Sequence, residues 1–148
     1  MNLIIDASVA VKWFVEEERR DLACDVLRDG FNLFAPDLAL VEVANALRNK
    51  VRLGRMNYEQ ARASLTVFPG LFSRLVPQIE TFREAFEIGC AINHSAYDCV
   101  YLACVKILNT ALLTDDATLF QKASALDLGA KTLRLSDWKP GLPANTTV

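Results

Sequence analysis

The sequence predicts one α/β domain with a mostly parallel central sheet. Three observations predict it: the chain has 148 residues, 52% of them are hydrophobic, and short apolar runs alternate with segments of helical periodicity. The 16 basic and 18 acidic residues give a net charge of −2. This composition excludes an intrinsically disordered chain and a uniformly basic nucleic-acid-binding protein.

The elements of the first half follow from apolar runs and from residues that end helices. Leu3-Ile4-Ile5 is a continuous apolar run that ends in an acid, which is typical of a buried strand. Gly30 and Gly54 each follow a helical pattern and favour its end. The segment at 16–20 is a run of charged residues, which indicates a solvated surface. These patterns predict strands at 3–5 and 31–35 and helices at 7–15, 18–29, 37–53 and 57–67, the last with Asn57 as its N-cap.

The elements of the second half follow from capping patterns and further apolar runs. Thr81 and Glu84 have the Thr-x-x-Glu form of a capping box, and Ser95 and Asp98 have a similar form, so we expect a helix to begin at each. Further patterns predict strands at 74–76, 111–113 and 130–135 and a helix at 117–125. We expect a domain at 1–138 and a flexible tail at 139–148, which contains Pro140, Gly141 and Pro143.

The sequence predicts neither export nor a membrane anchor. No apolar run reaches the roughly 18 residues needed to cross a bilayer, and the N-terminus lacks the basic region of a signal peptide. Cys24, Cys90, Cys99 and Cys104 form no Cys-x-x-Cys pair and fit free thiols in a reducing compartment. His94 is the only histidine, which excludes a site built from several histidines. We therefore expect a cytoplasmic protein.

Three acids lie where predicted strands end or helices begin. Asp6 follows the first strand, Asp116 follows the strand at 111–113 with Asp115 beside it, and Asp98 lies in the first turn of a helix. Parallel sheets bind ligands beyond the carboxyl ends of their strands, so these positions suit a functional site. They equally suit helix caps, since aspartate is a favoured N-cap residue and is stabilised at a helix N-terminus. The sequence leaves both interpretations open.

Glu42 differs from these acids because it lies inside a strongly apolar helix, too far from Asp37 to act as a cap. Acids are rarely buried unless they are paired or bound to a metal. A functional role is therefore favoured over a buried salt bridge, which often contributes little stability. Asn45 lies three residues further and shares the face of Glu42.

The four acids Asp6, Glu42, Asp98 and Asp116 predict a divalent-metal site if they converge. Carboxylates that lie close together raise one another's pKa unless a cation compensates. A site with only oxygen donors suits Mg²⁺ or Mn²⁺ rather than Zn²⁺. Ser8, two residues after Asp6, either adds a hydroxyl to this site or is a serine of the first helical turn.

Four segments resemble the motifs of the PIN-domain family and occur in the family's order. They are IIDASVAVKW at 4–13, EVANAL at 42–47, SAYDCVYLA at 95–103 and LTDDATLF at 113–120. The resemblance covers about residues 1–137 and implies a three-layer α/β/α PIN-like fold and a Mg²⁺- or Mn²⁺-dependent endoribonuclease. A short PIN domain is most similar to the VapC-type toxins of toxin–antitoxin pairs. That similarity implies a homodimer and a cognate antitoxin protein that covers the acidic pocket.

The resemblance also assigns roles to single residues. In the resulting hypothesis three acids ligate a metal ion, and Glu42 binds a second ion or orients the attacking water. Asp115 departs from the family pattern because it doubles the fourth acid, so its part in the site stays open. The matching positions are Asp6, Glu42, Asp98 and Asp116 for the catalytic and metal-binding acids, and Ser8, Asn45 and Thr114 for the residues that support them.

RNA binding is predicted for a basic stretch at the end of the Glu42 helix, because no acid occurs between residues 43 and 58. The alternative is a solvated helix end at which cations offset the helix dipole. The segment at 53–72 is unusually apolar, which is typical of core packing or of a dimer or partner surface. The predicted RNA contacts are Arg48, Lys50, Arg52 and Arg55, with Lys12 as a further candidate.

Two other functions are compatible with the sequence. A non-catalytic module with the PIN-like fold would keep a partner surface and cleave no RNA. A phosphoryl-transfer enzyme would use Asp6 as its nucleophile, but such enzymes typically carry a second aspartate two residues later, where this chain has Ser8.

Overall fold

The apolar run at the start of the chain forms the central strand of a parallel sheet. The computed structural model describes residues 2–128 and 131–141. Its strands are β1 (Asn2–Ile5), β2 (Asn32–Pro36), β3 (Arg74–Val76), β4 (Ala111–Thr114) and β5 (Thr132–Arg134). They lie in the order β3-β2-β1-β4-β5, and each neighbouring pair is parallel. In β1, Leu3 lies opposite Leu33 on one side and Ala111 on the other.

Helices cover both faces of this sheet. Within the described residues they are α1 (Ala7–Ala10), α2 (Arg20–Arg28), α3 (Leu38–Arg52), α4 (Tyr58–Val67), α5 (Gln78–Ile92), α6 (Ala96–Leu108) and α7 (Ala117–Ser124). Because successive strand residues face opposite sides, Leu3 and Ile5 pack in a core with α1, α2 and α3, whereas Ile4 packs in a second core with α5 and α6. The predicted three-layer α/β/α arrangement is confirmed.

The predicted helix at 7–15 is shorter and less regular than expected. After α1, the chain continues as a 3-10 helix over Val11–Trp13. The indole of Trp13 donates from Nε1 to Ala23 O at 2.9 Å, which fixes this turn against α2. At the start of α4, Asn57 is the predicted N-cap, and it forms a reciprocal capping box with Gln60.

The capping box predicted at Thr81 and Glu84 is wrong. α5 begins at Gln78, one turn earlier, with Pro77 in the N-cap position. The ring of Pro77 fixes its own φ, which is −63°, and proline has no N–H that would need a partner. Both properties suit a helix start directly after β3. Thr81 is therefore buried inside the helix, where its hydroxyl donates to Gln78 O at 3.2 Å.

The box predicted at Ser95 and Asp98 is half confirmed. Ser95 is the N-cap of α6, and its hydroxyl oxygen accepts from Tyr97 N at 3.2 Å. Among the described residues, the Asp98 carboxylate lies 2.9 Å from His94 Nε2 instead of bonding back to Ser95 N. The side chain of Asp98 is thus free of the capping role that the sequence left open.

The apolar segment at 53–72 divides between core and surface. Phe68 is buried, and its ring packs edge-on against Phe72 with centroids 5.2 Å apart. The ring of Trp13 also packs against Phe68, with centroids 6.3 Å apart. By contrast, Tyr58 and Val67 of α4 are 63% and 55% exposed. Core packing therefore accounts for Phe68 and Phe72, but not for the outward side of α4.

All four cysteines are free thiols, as predicted. Over the described ranges, no helix combines the length and the apolar character that crossing a membrane requires. β5 lies within the strand predicted at 130–135, of which residue 130 is outside the described residues. Of the tail predicted at 139–148, residues 142–148 are also outside them, so the flexibility of that tail stays a prediction.

Candidate active site

The first and fourth motifs meet at the carboxyl ends of two neighbouring strands of the sheet. β1 and β4 are neighbours, and Ile5 lies opposite Leu113. Asp6 continues this pairing, since its N–H donates to Leu113 O at 3.0 Å. The residue after β1 and the residues that end and follow β4 are thereby placed side by side at the carboxyl end of the strands, where ligands of parallel sheets bind.

Asp6 is the most buried acid of the site, with 6% of its surface exposed. It occupies the N-cap position of α1, but its side chain makes no capping hydrogen bond. Instead, Ser8 Oγ donates to Asp6 Oδ2 at 2.5 Å and Thr114 Oγ1 donates to the same oxygen at 2.6 Å. Helix capping therefore does not explain this carboxylate. Ser8 and Thr114, which the motifs predict to support the site, thus both donate to Asp6.

The pKa of Asp6 is raised above its ordinary value, and the causes identify its neighbours. Burial raises this pKa most strongly, the hydrogen bonds from Ser8 and Thr114 lower it, and the charges of Asp116 and Asp98 raise it further. Acids of two other motifs are therefore close enough to act on this buried carboxylate.

Glu42 lies on α3, close enough for its charge to interact with those of Asp6 and Asp98. We call Asp6, Glu42, Asp98 and Asp116 the acidic cluster. Glu42 is half-buried rather than fully buried. Its helix is less enclosed than its apolar sequence indicates, since Val41 is 66% exposed. Burial raises the pKa of Glu42, the hydrogen bond from Tyr101 lowers it, and the charges of Asp6 and Asp98 raise it. Asn45 lies on the exposed side of α3, where it makes no side-chain hydrogen bond to the described residues.

Tyr101 joins two of the motifs inside the protein. Its side chain is 1% exposed, and its hydroxyl donates to Glu42 Oε2. The same oxygen accepts from Ala7 N at 3.3 Å. Burial, together with the charges of Asp6 and Glu42, raises the pKa of Tyr101 well above its ordinary value, so the hydroxyl stays protonated and able to donate.

Asp116 both caps a helix and belongs to the cluster. Its Oδ1 accepts from Thr118 N at 2.7 Å and from Leu119 N at 3.0 Å at the start of α7. Its own N–H donates to Thr114 Oγ1 at 2.9 Å. The two interpretations that the sequence left open are thus compatible, since one carboxylate oxygen caps the helix while the charge still acts on Asp6.

Asp115, by contrast, is held by basic side chains. Its carboxylate lies 3.1 Å from Lys12 Nζ and accepts from Arg19 Nε at 2.9 Å and from Arg19 Nη2 at 3.2 Å. Its backbone N–H donates to Ser8 Oγ at 2.9 Å. The acid that departs from the family pattern therefore pairs with two basic side chains.

Two of the predicted RNA contacts are already engaged. Lys12 has a side chain only 8% exposed, and it pairs with Asp115 and, at 3.6 Å, with Glu17. Lys50 donates to Glu17 as well. The ammonium of Lys12 is therefore enclosed and paired within the protein, and a contact between Lys12 and RNA stays a prediction. The exposed members of the predicted set are Arg48, Arg52 and Arg55.

The prediction that residues 16–20 form a solvated surface is wrong in part. Glu17 and Arg19 are only partly exposed, and they pair with partners 33 and 96 residues away. Burial alone would raise the pKa of Glu17, but Lys50 and Lys12 lower it below its ordinary value. Only Glu16 and Glu18 keep largely exposed side chains, at 87% and 78%.

Sequence reasoning missed Tyr101, Arg19 and His94. Tyr101 was detectable in principle, since it lies one turn after Asp98 and carries a hydroxyl in an otherwise apolar helix, which requires a partner. His94 lies four residues before Asp98, a spacing at which side chains meet. Arg19 gave no such signal, because its partner Asp115 is distant in sequence and nothing local distinguishes it from a surface arginine.

The donor chemistry of the cluster fits a divalent cation. The cluster offers only carboxylate and hydroxyl oxygens. Two of its carboxyls have raised pKa values, mainly because they are buried and in addition because other acids lie nearby. Such a group of anions favours a bound Mg²⁺ or Mn²⁺. The cluster is not a closed cage: across the part of the chain that the structure describes, no three histidine, cysteine or acidic side chains are close enough to hold one ion.

Comparisons with known proteins agree with this geometry. A family model described as PIN domain matches residues 3–126. Ribonuclease VapC3 of Pyrobaculum aerophilum is 31% identical over 128 residues, which cover 85% of this chain and 98% of that protein. Ribonuclease VapC9 of Mycobacterium tuberculosis is 29% identical over 125 residues, covering 83% of this chain and 92% of that protein. A crystal structure of a Pyrobaculum aerophilum protein superposes with a TM-score of 0.71 at 18% identity, over 92% of this chain and 85% of that one.

Proposed function

Because the chain belongs to the PIN-domain family, we propose that it is an endoribonuclease of the VapC type, the toxin of a toxin–antitoxin pair. The observation that carries this proposal is the convergence of acids from separate motifs on the buried carboxylate of Asp6. A non-catalytic module with the same fold would have no need of that cluster, because acids placed close to a buried carboxylate destabilise the protein and are typical of functional sites.

We propose that Mg²⁺ or Mn²⁺ is bound by Asp6, Asp98 and Asp116, with Glu42 beside them. When bound, the ion lowers the pKa of a water molecule and offsets charge that develops on the phosphate oxygens. Asp6 Oδ2 already accepts from Ser8 and Thr114, so the hydroxyls fix its orientation and leave Oδ1 free of donors among the described residues. Asp116 Oδ2 is similarly free, since the helix cap uses Oδ1.

Glu42 is proposed to orient and deprotonate the attacking water. Its Oε2 accepts from Tyr101, and Oε1 accepts no hydrogen bond from the described residues, so Oε1 is the oxygen proposed to take the proton. Its pKa is raised, mainly by burial, which makes the carboxylate a stronger base than an ordinary glutamate and suits proton abstraction. Water attacks phosphorus, its proton passes to Glu42 Oε1, and the bond from phosphorus to the leaving oxygen breaks.

RNA binding is assigned to the basic end of α3, through Arg48, Arg52 and Arg55. Arg48 contacts only its neighbour Asn49, at 3.1 Å, among the described residues. Exposed guanidinium groups bind phosphate oxygens readily because their donors are planar and paired. Lys50 lies in the same stretch but is held by Glu17 and is excluded from the proposed contacts.

The proposed partners are a cognate antitoxin protein and a second copy of the chain, in the cytoplasm. Large apolar side chains that are exposed along one face of α5 support the dimer: Ile79 is 76%, Phe82 49% and Phe86 61% exposed. Their spacing of three and four residues places them on a single helical face. Light scattering of the purified protein tests the dimer, for which we expect twice the mass of one chain.

Cleavage of RNA by the purified protein tests the function. Total RNA is incubated with the protein in Mg²⁺, in Mn²⁺ or in EDTA, and the new ends are mapped. We expect cleavage with either ion, none with EDTA, and a loss of at least roughly 100-fold in Asp6→Asn, Asp98→Asn and Asp116→Asn, because each change removes a charge while keeping the shape. Asp21→Asn, which alters an exposed acid of α2, is the control. Full cleavage by all three site variants would disprove the proposal, and cleavage in EDTA would disprove its metal dependence.

A further inference from the structure

A network of paired charges, partly buried and partly open to a cleft, adjoins the acidic cluster without belonging to it. We call it the Asp115 network; its members are Lys12, Glu17, Arg19, Lys50 and Asp115. Arg19 binds Asp115 through two guanidinium nitrogens, at 2.9 and 3.2 Å. Lys12 lies between two acids, 3.1 Å from Asp115 and 3.6 Å from Glu17, and Lys50 donates to Glu17.

The network is enclosed on the side of Asp115 and open on the other side. The side chains of Asp115 and Lys12 are 7% and 8% exposed. The outer members, Glu17, Arg19 and Lys50, line a cleft of about 810 Å³ between the turn after α1 and the ends of α3 and α4. Burying the charges of Asp115 and Lys12 costs desolvation energy, so the presence of this ion pair calls for a structural or functional reason.

Arg19 is held in a conformation that few residues adopt. Its φ is 63° and its ψ is 19°, in the left-handed region, and it occupies the N-cap position of α2. A residue with a Cβ pays free energy for this conformation and keeps it only where its surroundings impose it. The paired hydrogen bonds to Asp115 are the contacts that impose it here, together with the bond from Arg19 Nη1 to Glu18 at 2.6 Å.

Asp115 carries the network directly into the acidic cluster. Its N–H donates to Ser8 Oγ at 2.9 Å, and Ser8 Oγ in turn donates to Asp6 Oδ2. On either side of Asp115, Thr114 donates to that same oxygen of Asp6, and the N–H of Asp116 donates to Thr114. A displacement of Asp115 would therefore move every group that orients Asp6.

We infer that Arg19, together with Lys12, is a positioning residue that acts through Asp115 and holds residues 114–116 in the geometry that Asp6 and Asp116 require to bind a metal ion. This inference rests on the proposed function for the identity of the ion. Arg19 is not an RNA contact, since its donors are turned to Asp115 and Glu18. Partners that orient metal-ligating groups commonly contribute 10- to 100-fold, as a rough guide, to metal affinity or activity.

The experiment compares Arg19→Gln, Asp115→Asn and the double variant with the wild type. Mn²⁺ affinity is measured by calorimetry without RNA, and kcat and KM are measured with an RNA that the wild type cleaves. Arg28→Gln is the matched control, because Arg28 makes a comparable ion pair with Asp25 at 2.8 Å, on the surface of α2.

We expect each single variant to bind Mn²⁺ roughly tenfold more weakly and to lose about tenfold in kcat, with KM little changed. The double variant should lose no more than the larger single loss, since both substitutions break one contact. Arg28→Gln should match the wild type. A merely structural ion pair would lower the melting temperature and leave Mn²⁺ affinity and kcat unchanged.

Three outcomes overturn the inference. They are wild-type Mn²⁺ affinity and kcat in Arg19→Gln, a raised KM alone, which would make Arg19 an RNA contact, and losses that multiply in the double variant. If Arg19→Gln does not fold, Arg19→Lys keeps the charge without the paired donors, and normal Mn²⁺ affinity and kcat in that variant overturn the inference equally. A wild type that binds Mn²⁺ but cleaves no RNA contradicts the proposed function alone, since the Mn²⁺ titrations still compare the variants.

Discussion

A single buried hydroxyl links the first three motifs. The oxygen of Tyr101 accepts from Ala7 N at 3.3 Å and donates to Glu42 Oε2, so one atom joins the start of α1, the middle of α3 and the interior side of α6. Each motif alone contains an acid that has a plausible structural explanation. The hydrogen bonds of Tyr101 require all three motifs to be present together, and the bond to Glu42 fixes the orientation of that carboxylate.

Substitution of Tyr101 by phenylalanine tests this role. Tyr101→Phe keeps the ring and removes the donor to Glu42, so we expect kcat to fall roughly 10- to 100-fold and the free energy of unfolding to fall by about 1 kcal/mol. Because the hydrogen bond from Tyr101 lowers the pKa of Glu42, its loss raises that pKa. The acid limb of the pH–rate profile should therefore move to higher pH.

The matched control for that change is Tyr58→Phe, in which the hydroxyl removed belongs to a side chain that is 63% exposed. Its activity and pH profile should equal those of the wild type. A Tyr101→Phe protein with an unshifted acid limb and full kcat would show that Glu42 does not depend on this hydroxyl.

The buried charge of Asp6 should make the metal-free protein less stable at neutral pH. Its folded-state pKa lies above the ordinary 3.8, so the folded protein keeps a proton that the unfolded chain has already lost. Stability therefore falls as the pH rises from 3.8 through the folded-state pKa, and it stays lower above that value. In Asp6→Asn the amide oxygen still accepts from Ser8 and Thr114, but the buried charge is gone.

We therefore expect Asp6→Asn to melt above the wild type at pH 7 in EDTA, and the difference to shrink as the pH falls toward 4. Each kcal/mol regained raises the melting temperature by about 2–4 °C in a chain of this size. Asp21→Asn, at an exposed site, should show no such difference. A lower melting temperature for Asp6→Asn at pH 7, or a difference independent of pH, would contradict the argument.

At the scale of elements, the contact between α5 and α6 positions Asp98. A Cβ built on Gly89 of α5 would lie 3.0 Å from His94 O, in the turn that leads into α6. That turn is held in place, because His94 N donates back to Gly89 O at 3.0 Å. The absence of a side chain at Gly89 thus sets how closely α6 and its first-turn acid approach α5.

Substitution of Gly89 by alanine should destabilise the protein despite the better helix propensity of alanine. The propensity favours the change by about 1 kcal/mol, whereas forcing a methyl against fixed backbone costs roughly 1–3 kcal/mol. We expect a net loss of about 1 kcal/mol, measured by urea unfolding. Gly70→Ala is the control, since no atom lies within 4 Å of a Cβ at that position. A more stable Gly89→Ala protein would show that the turn yields freely.

The elements that the sequence predicted well are those whose cause is local. The run Leu3-Ile4-Ile5 is buried from end to end because a central parallel strand is covered on both faces, so its apolar character alone reveals it. The start of α5 was misjudged because two N-terminal signals compete there, and the restricted backbone of Pro77 prevails over the polar pattern that begins at Thr81.

Three of the proposed acids, Asp6, Asp98 and Asp116, could be selected from the sequence because strand ends and helix starts are local features. Glu42 could be selected because it interrupts an apolar helix, but the Asp115 network gave no local signal. The pairing of Arg19 with Asp115 joins residues 96 positions apart, and that of Lys50 with Glu17 joins residues 33 apart. A charge run such as 16–20 has the same composition whether it faces solvent or closes over a distant acid. Only the path of the chain after α1 decides between them.

At the scale of the whole molecule, a net charge of −2 conceals a separation of charges. The acids Asp6, Glu42, Asp98 and Asp116 act on one another at the end of β1 and β4, where a cation compensates them under the proposed function. Several basic residues that would otherwise favour RNA are used internally: Lys12 and Arg19 neutralise Asp115. Under the proposed function, RNA attraction near the site is assigned to the exposed arginines at the end of α3.

This separation predicts how RNA binding responds to salt. For single-stranded RNA each phosphate contact contributes about 0.7 to the slope of log affinity against log salt concentration. Arg52→Gln should lower the magnitude of the slope by about that amount, because Arg52 is exposed at the end of α3. Lys50→Gln should leave it unchanged, since its ammonium is held by Glu17. Fluorescence anisotropy with a short labelled single-stranded RNA in EDTA measures both. An equal loss of slope in the two variants would mean that Lys50 leaves Glu17 to bind RNA. No loss in Arg52→Gln would mean that the basic end of α3 does not contact RNA.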